Sequence, residues 1–285
     1  MAKWTAADLP DMTGKRVLIT GAGSGIGLIT ARELGRVGAC VVLAVRDTQK
    51  GRRAIAGMPG VFDVRRVDVS DLTPVREFAQ AWTGNLDILI NNAGVMDIAA
   101  ARTADGFDVQ TATNYTGPFV LTNLLRPHVT DRVVRVTSQL HRRAKLDVAD
   151  FDWRSRKYHQ MNAYNDSKLA VALFSLEVQR RLTASGSPVR SVLAHPGIAT
   201  TSLTAHSSAN AINRFKFLLN DAEHGALPIL YGATQDVPGN AYVGPDGFGS
   251  IKGHPMVRKP GKAGLDETTA GNLWRATSAL TGVGR

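Results

Sequence analysis

Tyr164 and Lys168 stand four residues apart in the run Tyr164-Asn165-Asp166-Ser167-Lys168. Helical spacing of apolar residues runs from about 161 to 182, so the two side chains share one helix face. A lysine ammonium there can stabilise a tyrosinate and ease proton exchange near neutral pH. Ordinary exposed helix faces carry the same pair, so it gains weight only in company. Tyr158 cannot make it, because Asn162 stands four residues on. Ser138 closes an apolar run, where a hydroxyl can hold a substrate oxygen; a capping or turn serine is the plainer reading, with Thr137 as an adjacent competitor. Asn114 interrupts a helical pattern over about 106–125, where asparagine is mildly unfavourable, which suggests a polar task or a solvent-facing position.

A glycine turn, Gly21-Ala22-Gly23-Ser24-Gly25-Ile26-Gly27, lies between a strand-like run at 15–20 and a helical pattern that ends at Gly38. Glycines permit close backbone approach, and a helix starting near Gly25 aims unpaired N–H groups at the turn. A pyrophosphate suits that place, although the spacing departs from G-x-G-x-x-G. The second strand ends in Val45-Arg46-Asp47. Val45 stands where an acid would hold a ribose hydroxyl, while the Arg46 fork suits a 2′-phosphate, which favours NADP(H) over NAD(H). Asp47 either caps the next helix or is the ribose acid in a shifted register. Asn91-Asn92-Ala93-Gly94 reads as a turn or as a small-residue wall beside an adenine ring.

Strand-like runs fall at 15–20, 41–45, 64–69, 86–90, 132–137, 189–193 and 240–243, with helical patterns between most of them. That alternation implies an α/β fold: a single doubly wound Rossmann-type domain over 1–285, with a mostly parallel sheet of about seven strands. Segments 139–160 and 198–222 break the rhythm and read as substrate-loop insertions. The second holds Leu203, Ile212, Phe215 and Phe217, which suit a lid over an apolar substrate or a satellite core equally. Residues 246–285 form a Gly/Pro-rich C-terminal extension.

The 285 residues are 44% hydrophobic and 20% charged, which argues for a globular chain rather than disorder or coiled coil. No apolar run reaches the ~18 residues of a membrane span, and residues 1–13 lack the apolar core of a secretory leader. One cysteine, Cys40, excludes an internal disulfide and a Cys-rich metal site, and a reducing cytoplasm fits best. The net charge of +10 is spread over scattered pairs such as Arg52-Arg53 and Arg180-Arg181, without aromatic interleaving or zinc-finger spacing. A solvated basic surface explains it better than nucleic-acid binding. His141 and His195 have no Cys or carboxylate cluster at ligand spacing, so no metal is expected. Ser138 sits in Val-Thr-Ser-Gln, not in the G-x-S-x-G elbow of a hydrolase.

Taken in order, these motifs resemble the short-chain dehydrogenase/reductase family over about residues 14–245. Thr20 to Gly27 is similar to its cofactor turn, Asp68 to its adenine-side acid, and Asn91-Asn92-Ala93-Gly94 to its next motif. Asn114, Ser138, Tyr164 and Lys168 match its catalytic tetrad, and Pro196-Gly197 the turn after its sixth strand. The resemblance implies cofactor contacts from Gly21, Ser24, Gly25, Ile26, Gly27, Arg46, Asp68, Val69, Asn91, Ala93, Gly94, Tyr164, Lys168, Pro196, Gly197 and Thr200 (or Thr201). It implies hydride transfer between NADP(H) and a carbonyl or alcohol. Ser138 would hold the substrate oxygen, and Tyr164 would pass the proton. Lys168 would support the tyrosinate and the nicotinamide ribose, and Asn114 would order a relaying water. The long Ser138-to-Tyr164 separation and His195-Pro196-Gly197 resemble the retinol-dehydrogenase-like branch, which tends to use NADP(H). The membrane anchor common in its animal members is not carried over. A homodimer through helices 106–125 and 161–182 follows by the same likeness. A non-catalytic NADP-binding regulator and an enone reductase on the same fold are the alternatives.

Overall fold

A computed structural model describes residues 3–197 and 221–284. The first half runs β1 (Arg16–Thr20), α1 (Gly25–Arg36), β2 (Cys40–Val45), α2 (Thr48–Ile55), β3 (Val61–Arg66), α3 (Leu72–Gln80) and β4 (Leu86–Asn91). Then come a short turn α4 (Val109–Thr111), a π-helical turn (Ala112–Thr116), α5 (Gly117–Leu125), β5 (Val129–Val136), α6 (Gln160–Ala184) and β6 (Arg190–Ala194). The described chain closes with α7 (Ala222–Thr234), β7 (Tyr242–Pro245), β8 (Pro255–Arg258) and α8 (Glu267–Thr281).

The strand order is β3-β2-β1-β4-β5-β6-β7-β8, with β1 to β7 parallel and β8 antiparallel on the edge. This is a single α/β Rossmann-like domain. The strands are near-continuous Val, Ile and Leu because both sheet faces are covered. Alternation along β1 sends Val17 and Ile19 into a layer with Leu34, Ile229 and Leu230. Leu18 points the other way, toward Leu72, Phe119 and Leu173. The chain winds outward from β1 to β3 and then crosses back to β4. A crevice therefore opens where the carboxyl ends of β1 and β4 part.

Four elements differ from the sequence reading. The sheet has an eighth strand: β8 is four residues long and starts at Pro255, whose missing N–H is tolerated on an edge. β3 occupies 61–66 rather than 64–69; Val67 and Val69 are buried, but in the loop beyond the strand. The helical stretch 106–125 is interrupted by the π turn. Pro118 cannot donate the hydrogen bond that would close on the Asn114 carbonyl, and the Gly117 N–H bonds to Ala112 instead. The Gly/Pro-rich extension hides α8, capped by the Asp266 carboxylate on the Thr269 N–H and ended by Gly282 at φ 70°. Trp274 of α8 packs 4.9 Å from Phe119 and 5.8 Å from Phe174, and Thr277 bonds the Tyr115 hydroxyl at 2.7 Å. α8 thus packs on aromatic side chains of α5 and α6.

Candidate active site

The glycine turn between β1 and α1 is pressed against the loop after β4. Gly21 has φ +68°, and a Cβ there would sit 2.9 Å from the Ala93 Cα. A Cβ on Gly27 would lie 2.4 Å from Asn92 Nδ2. Thr20 locks the two loops: its hydroxyl accepts the N–H groups of Asn92 at 3.0 Å and Ala93 at 3.1 Å. Asn92 Nδ2 donates back to the Thr20 carbonyl at 2.9 Å. Thr20 and Asn92 enter the sequence reading only as members of longer motifs; the signal of their mutual lock is a strand-end hydroxyl opposite a doubled asparagine. Ser24, Gly25 and Ile26 open α1, and the Ser24 side chain makes no capping bond. The positive end of α1 therefore faces the crevice with a hydroxyl beside it.

The ends of β2 and β3 settle one open register. Asp47 caps α2, its carboxylate accepting the Lys50 N–H at 2.9 Å. Arg46 is 74% exposed at its side chain, 3.9 Å from Asp68, which itself holds the Ser70 N–H and hydroxyl. Val69 is buried, its carbonyl against Gly117.

At the neighbouring strand ends the four tetrad residues come together. Ser138 caps the 3-10 turn Gln139–Arg143 two residues beyond β5, and its side chain lies on the Tyr164 side, where its effect is to favour the tyrosinate. The competitor Thr137 points elsewhere, donating to the Lys168 carbonyl at 2.9 Å. Lys168 Nζ lies 5.7 Å from the Tyr164 ring centroid and donates to the Val136 carbonyl at 3.1 Å. Gly94 faces the cluster: a Cβ there would meet Asn114 Oδ1 at 3.1 Å and Lys168 Nζ at 3.4 Å. Asn114 accepts the Val95 N–H at 2.8 Å and donates to the Val95 carbonyl at 3.0 Å and Ser167 at 2.9 Å. Its amide is committed to fixing the loop that follows Gly94. Pro196 and Gly197 follow β6, with Gly197 at φ +78°. Thr200 and Thr201 lie outside the described residues, as does all but the end of 198–222.

Burial governs the charges. It pushes the Tyr164 phenol up to about 12, against the lowering effect of the Ser138 hydrogen bond. It brings the Lys168 ammonium down to about 8. With Nζ over the ring face and bonded to a carbonyl, the lysine does not offset the phenol's desolvation. Cofactor-free protein should therefore keep Tyr164 protonated at neutral pH. A tyrosinate difference titration of wild type against Tyr164→Phe checks this: its Tyr164 component should emerge well above the ordinary tyrosine range, and a component near pH ~7 would contradict the desolvation argument.

Among the described residues no three His, Cys, Asp or Glu side chains cluster to hold a metal, and no helix is long and apolar enough to cross a membrane. Residues 15–150 match the model of the short chain dehydrogenase family. The chain is 36% identical to retinol dehydrogenase 13 of Homo sapiens, over 95% of this chain and 85% of that protein. It is 36% identical to polyprenol dehydrogenase of Mus musculus, over 97% and 86%. An uncharacterized protein from Mycobacterium paratuberculosis, solved as a crystal structure, superposes with a TM-score of 0.88 at 45% identity, covering 99% of this chain and 98% of that one.

Proposed function

The chain belongs to the short-chain dehydrogenase/reductase family, and we propose that it moves a hydride between NADP(H) and the carbonyl or alcohol carbon of an apolar small molecule. The family is one of oxidoreductases of the retinol-dehydrogenase-like branch, and its fold binds a nicotinamide cofactor. One observation carries the finer reading: Asn114 and Lys168 flank Gly94, and Lys168 in turn lies over the Tyr164 ring, whose phenol Ser138 influences, in the crevice that the open end of α1 faces. The residues fit a dinucleotide. Gly94 lacks a Cβ where one would crowd Asn114 and Lys168, and the Ser24 hydroxyl is not spent on capping. Gly21, Ser24, Gly25, Ile26 and Gly27 would hold the pyrophosphate. Asp68, Val69, Asn91, Ala93 and Gly94 would flank the adenosine half, and Pro196, Gly197 and Thr200 the nicotinamide. When bound, NADP(H) supplies or accepts the hydride.

The chain's own groups handle the oxygen and its proton. The Ser138 hydroxyl holds the substrate oxygen. Tyr164, protonated at neutral pH, gives its proton to that oxygen during reduction and takes it back during oxidation. Lys168 balances the tyrosinate charge and binds the nicotinamide ribose. Asn114 orders the relay water through its main-chain carbonyl, since its side chain is already engaged.

NADP(H) rather than NAD(H) is supported by an exposed Arg46 and by an Asp47 whose carboxylate is occupied as a cap. Arg46→Asp removes a charge-assisted bond worth roughly 2 kcal/mol, so the NADPH/NADH ratio of kcat/KM should fall at least about thirtyfold. An unchanged ratio overturns the 2′-phosphate assignment. An apolar substrate is supported by the relatives' names and by the apolar content of 198–222, which we assign with 139–160 to covering the substrate. The decisive experiment is a screen of octanal, benzaldehyde, cyclohexanone, retinal, their alcohols and an enone with NADPH or NADP⁺. Turnover of carbonyls or alcohols supports the reading; cofactor binding without any turnover, or turnover of the enone alone, overturns it. We assign the scattered basic residues to solvent rather than to nucleic acid, and the single Cys40 to a reducing, cytoplasmic setting.

A further inference from the structure

We propose that His141 and His195 are positioning residues for Ser138: two neutral imidazoles that fasten the Ser138-Gln139 loop to the segment beyond β7. The proposal rests on the reading of Ser138 as the holder of the substrate oxygen.

Each ring bridges one backbone group of that loop and one of the C-terminal segment. His141 Nδ1 is 2.6 Å from the Ser138 carbonyl, and its Nε2 is 2.7 Å from the Gly261 N. A carbonyl only accepts and a backbone N–H only donates. The proton therefore sits on Nδ1, and Nε2 receives the Gly261 N–H. His195 is wired in the opposite sense. Its Nδ1 receives the Gln139 N–H at 3.2 Å, and its Nε2 donates to the Ser250 carbonyl at 3.1 Å. Both rings are about 1% exposed, and each has one donor and one acceptor, both satisfied. A second proton on either ring would point at an N–H already in place. Burial accordingly holds both rings below the usual histidine range, helped at His195 by the nearby cations Arg142 and Lys168.

The surroundings are shaped for this arrangement. Tyr242 of β7 stands between the rings, stacked on His195 at 6.3 Å and edge-on to His141 at 5.7 Å. Its hydroxyl donates to Gln139 Oε1 at 3.1 Å, so Gln139 is held by main chain and side chain together. Gly261 carries no Cβ where one would lie 3.1 Å from His141 Nε2. Ser250 adopts φ +55°, a conformation few non-glycine residues take, with its carbonyl on His195. The loop gripped in this way carries the Ser138 hydroxyl, which faces the Tyr164 phenol closely enough to favour its ionised form. Hydrogen bonds already complete on both ring nitrogens leave neither histidine free for acid–base chemistry, so their part is to fix where Ser138 stands.

A mutant cycle on the full-length chain tests this, using the carbonyl from the screen that wild type reduces fastest. His141→Phe keeps a ring and loses both bonds. Ser138→Ala alone should lower kcat at least about a hundredfold. His141→Phe alone should lower kcat about thirtyfold, with NADPH affinity by fluorescence unchanged within about twofold. In the Ser138→Ala background, His141→Phe should lower kcat by less than about threefold further, because the group it positions is gone. His195→Phe should follow the same pattern. Equal losses in both backgrounds, or no loss in the Ser138-containing enzyme, overturn the proposal. If Ser138→Ala retains turnover, the reading of Ser138 itself fails, and the two failures are told apart. His141→Gln, which keeps a donor and an acceptor on one planar amide, should recover most of the kcat lost in His141→Phe. Should the phenylalanine variants not fold, His141→Gln and His195→Gln enter the same cycle, and additive losses there overturn the proposal equally.

Discussion

Tyr164→Phe should stop carbonyl reduction and leave NADPH binding intact. The substitution removes one oxygen and keeps a ring that is only 5% exposed, so the packing of α6 survives. The lost oxygen is the buried phenol on which Ser138 acts. Ser138 keeps its bond with the Leu140 N–H at 3.3 Å, so its own position is not surrendered. A positioned general acid contributes about 10²–10⁴ in rate, and no other phenol of the described residues takes up the task. Tyr158 bonds Gln110, Tyr115 bonds Thr277, Tyr242 bonds Gln139, and Tyr231 packs edge-on against Trp4 in the other layer. The expected loss in kcat is about a thousandfold or more, with the melting temperature within roughly 2 °C of wild type. Steady-state assays following NADPH absorbance measure the first, and NADPH fluorescence titration measures binding. Activity within tenfold of wild type removes Tyr164 from the proton-transfer step.

Gly117→Ala should destabilise the fold strongly, against the sign that helix propensity alone gives. Alanine is favoured over glycine inside a helix by about 1 kcal/mol. A Cβ on Gly117, however, would lie 1.7 Å from the Val69 carbonyl oxygen and 2.8 Å from its carbon. The obstacle is backbone, so no side chain can swing aside. Overpacking of this kind costs about 1–3 kcal/mol, and a backbone collision belongs at or above the top of that range. A fall in melting temperature of roughly 5 °C or more follows. Gly271 in α8 is the control: a Cβ there meets only Arg275 Nη1 at 3.7 Å, so Gly271→Ala should be neutral or stabilising. The contact also joins fold to site. Gly117 ends the π turn that carries Asn114, and Val69 follows Asp68, which we propose flanks the adenosine half. If Gly117→Ala melts like wild type, the approach of α5 to this loop is not as close as described.

What was legible in the sequence were features with a local cause. Parallel strands buried on both faces announce themselves as runs such as Val41–Val45 and Leu86–Ile90, and the glycine turn follows β1 as read. Type and spacing singled out Tyr164, Lys168, Ser138 and Asn114, the family resemblance grouped them, and the structure sets Lys168 over the Tyr164 ring and Asn114 beside Gly94. The choice between Ser138 and Thr137 was not local: successive residues beyond β5 point opposite ways, and only the packed α6 decides which meets the phenol. The charge state of Tyr164 was not local either. Spacing places Lys168 on the same face, but the balance between its charge and desolvation depends on the surrounding burial. β8 escaped because a four-residue edge strand carries little periodicity, and α8 because its Asp266 and Gly282 boundary signals lie in a stretch read as Gly/Pro-rich. The sequence draws attention to both histidines, but three of their four ring partners come from more than fifty positions away.

The placement of α8 has a consequence for biosynthesis. Ribosomes make Phe119 and Phe174 long before Trp274, so a nascent chain can complete most of its sheet while this aromatic surface stays bare. Sticky hydrophobic area of that kind draws holdase chaperones and promotes clumping. Expression yield should therefore depend on the last helix out of the exit tunnel more steeply than its fifteen residues would suggest.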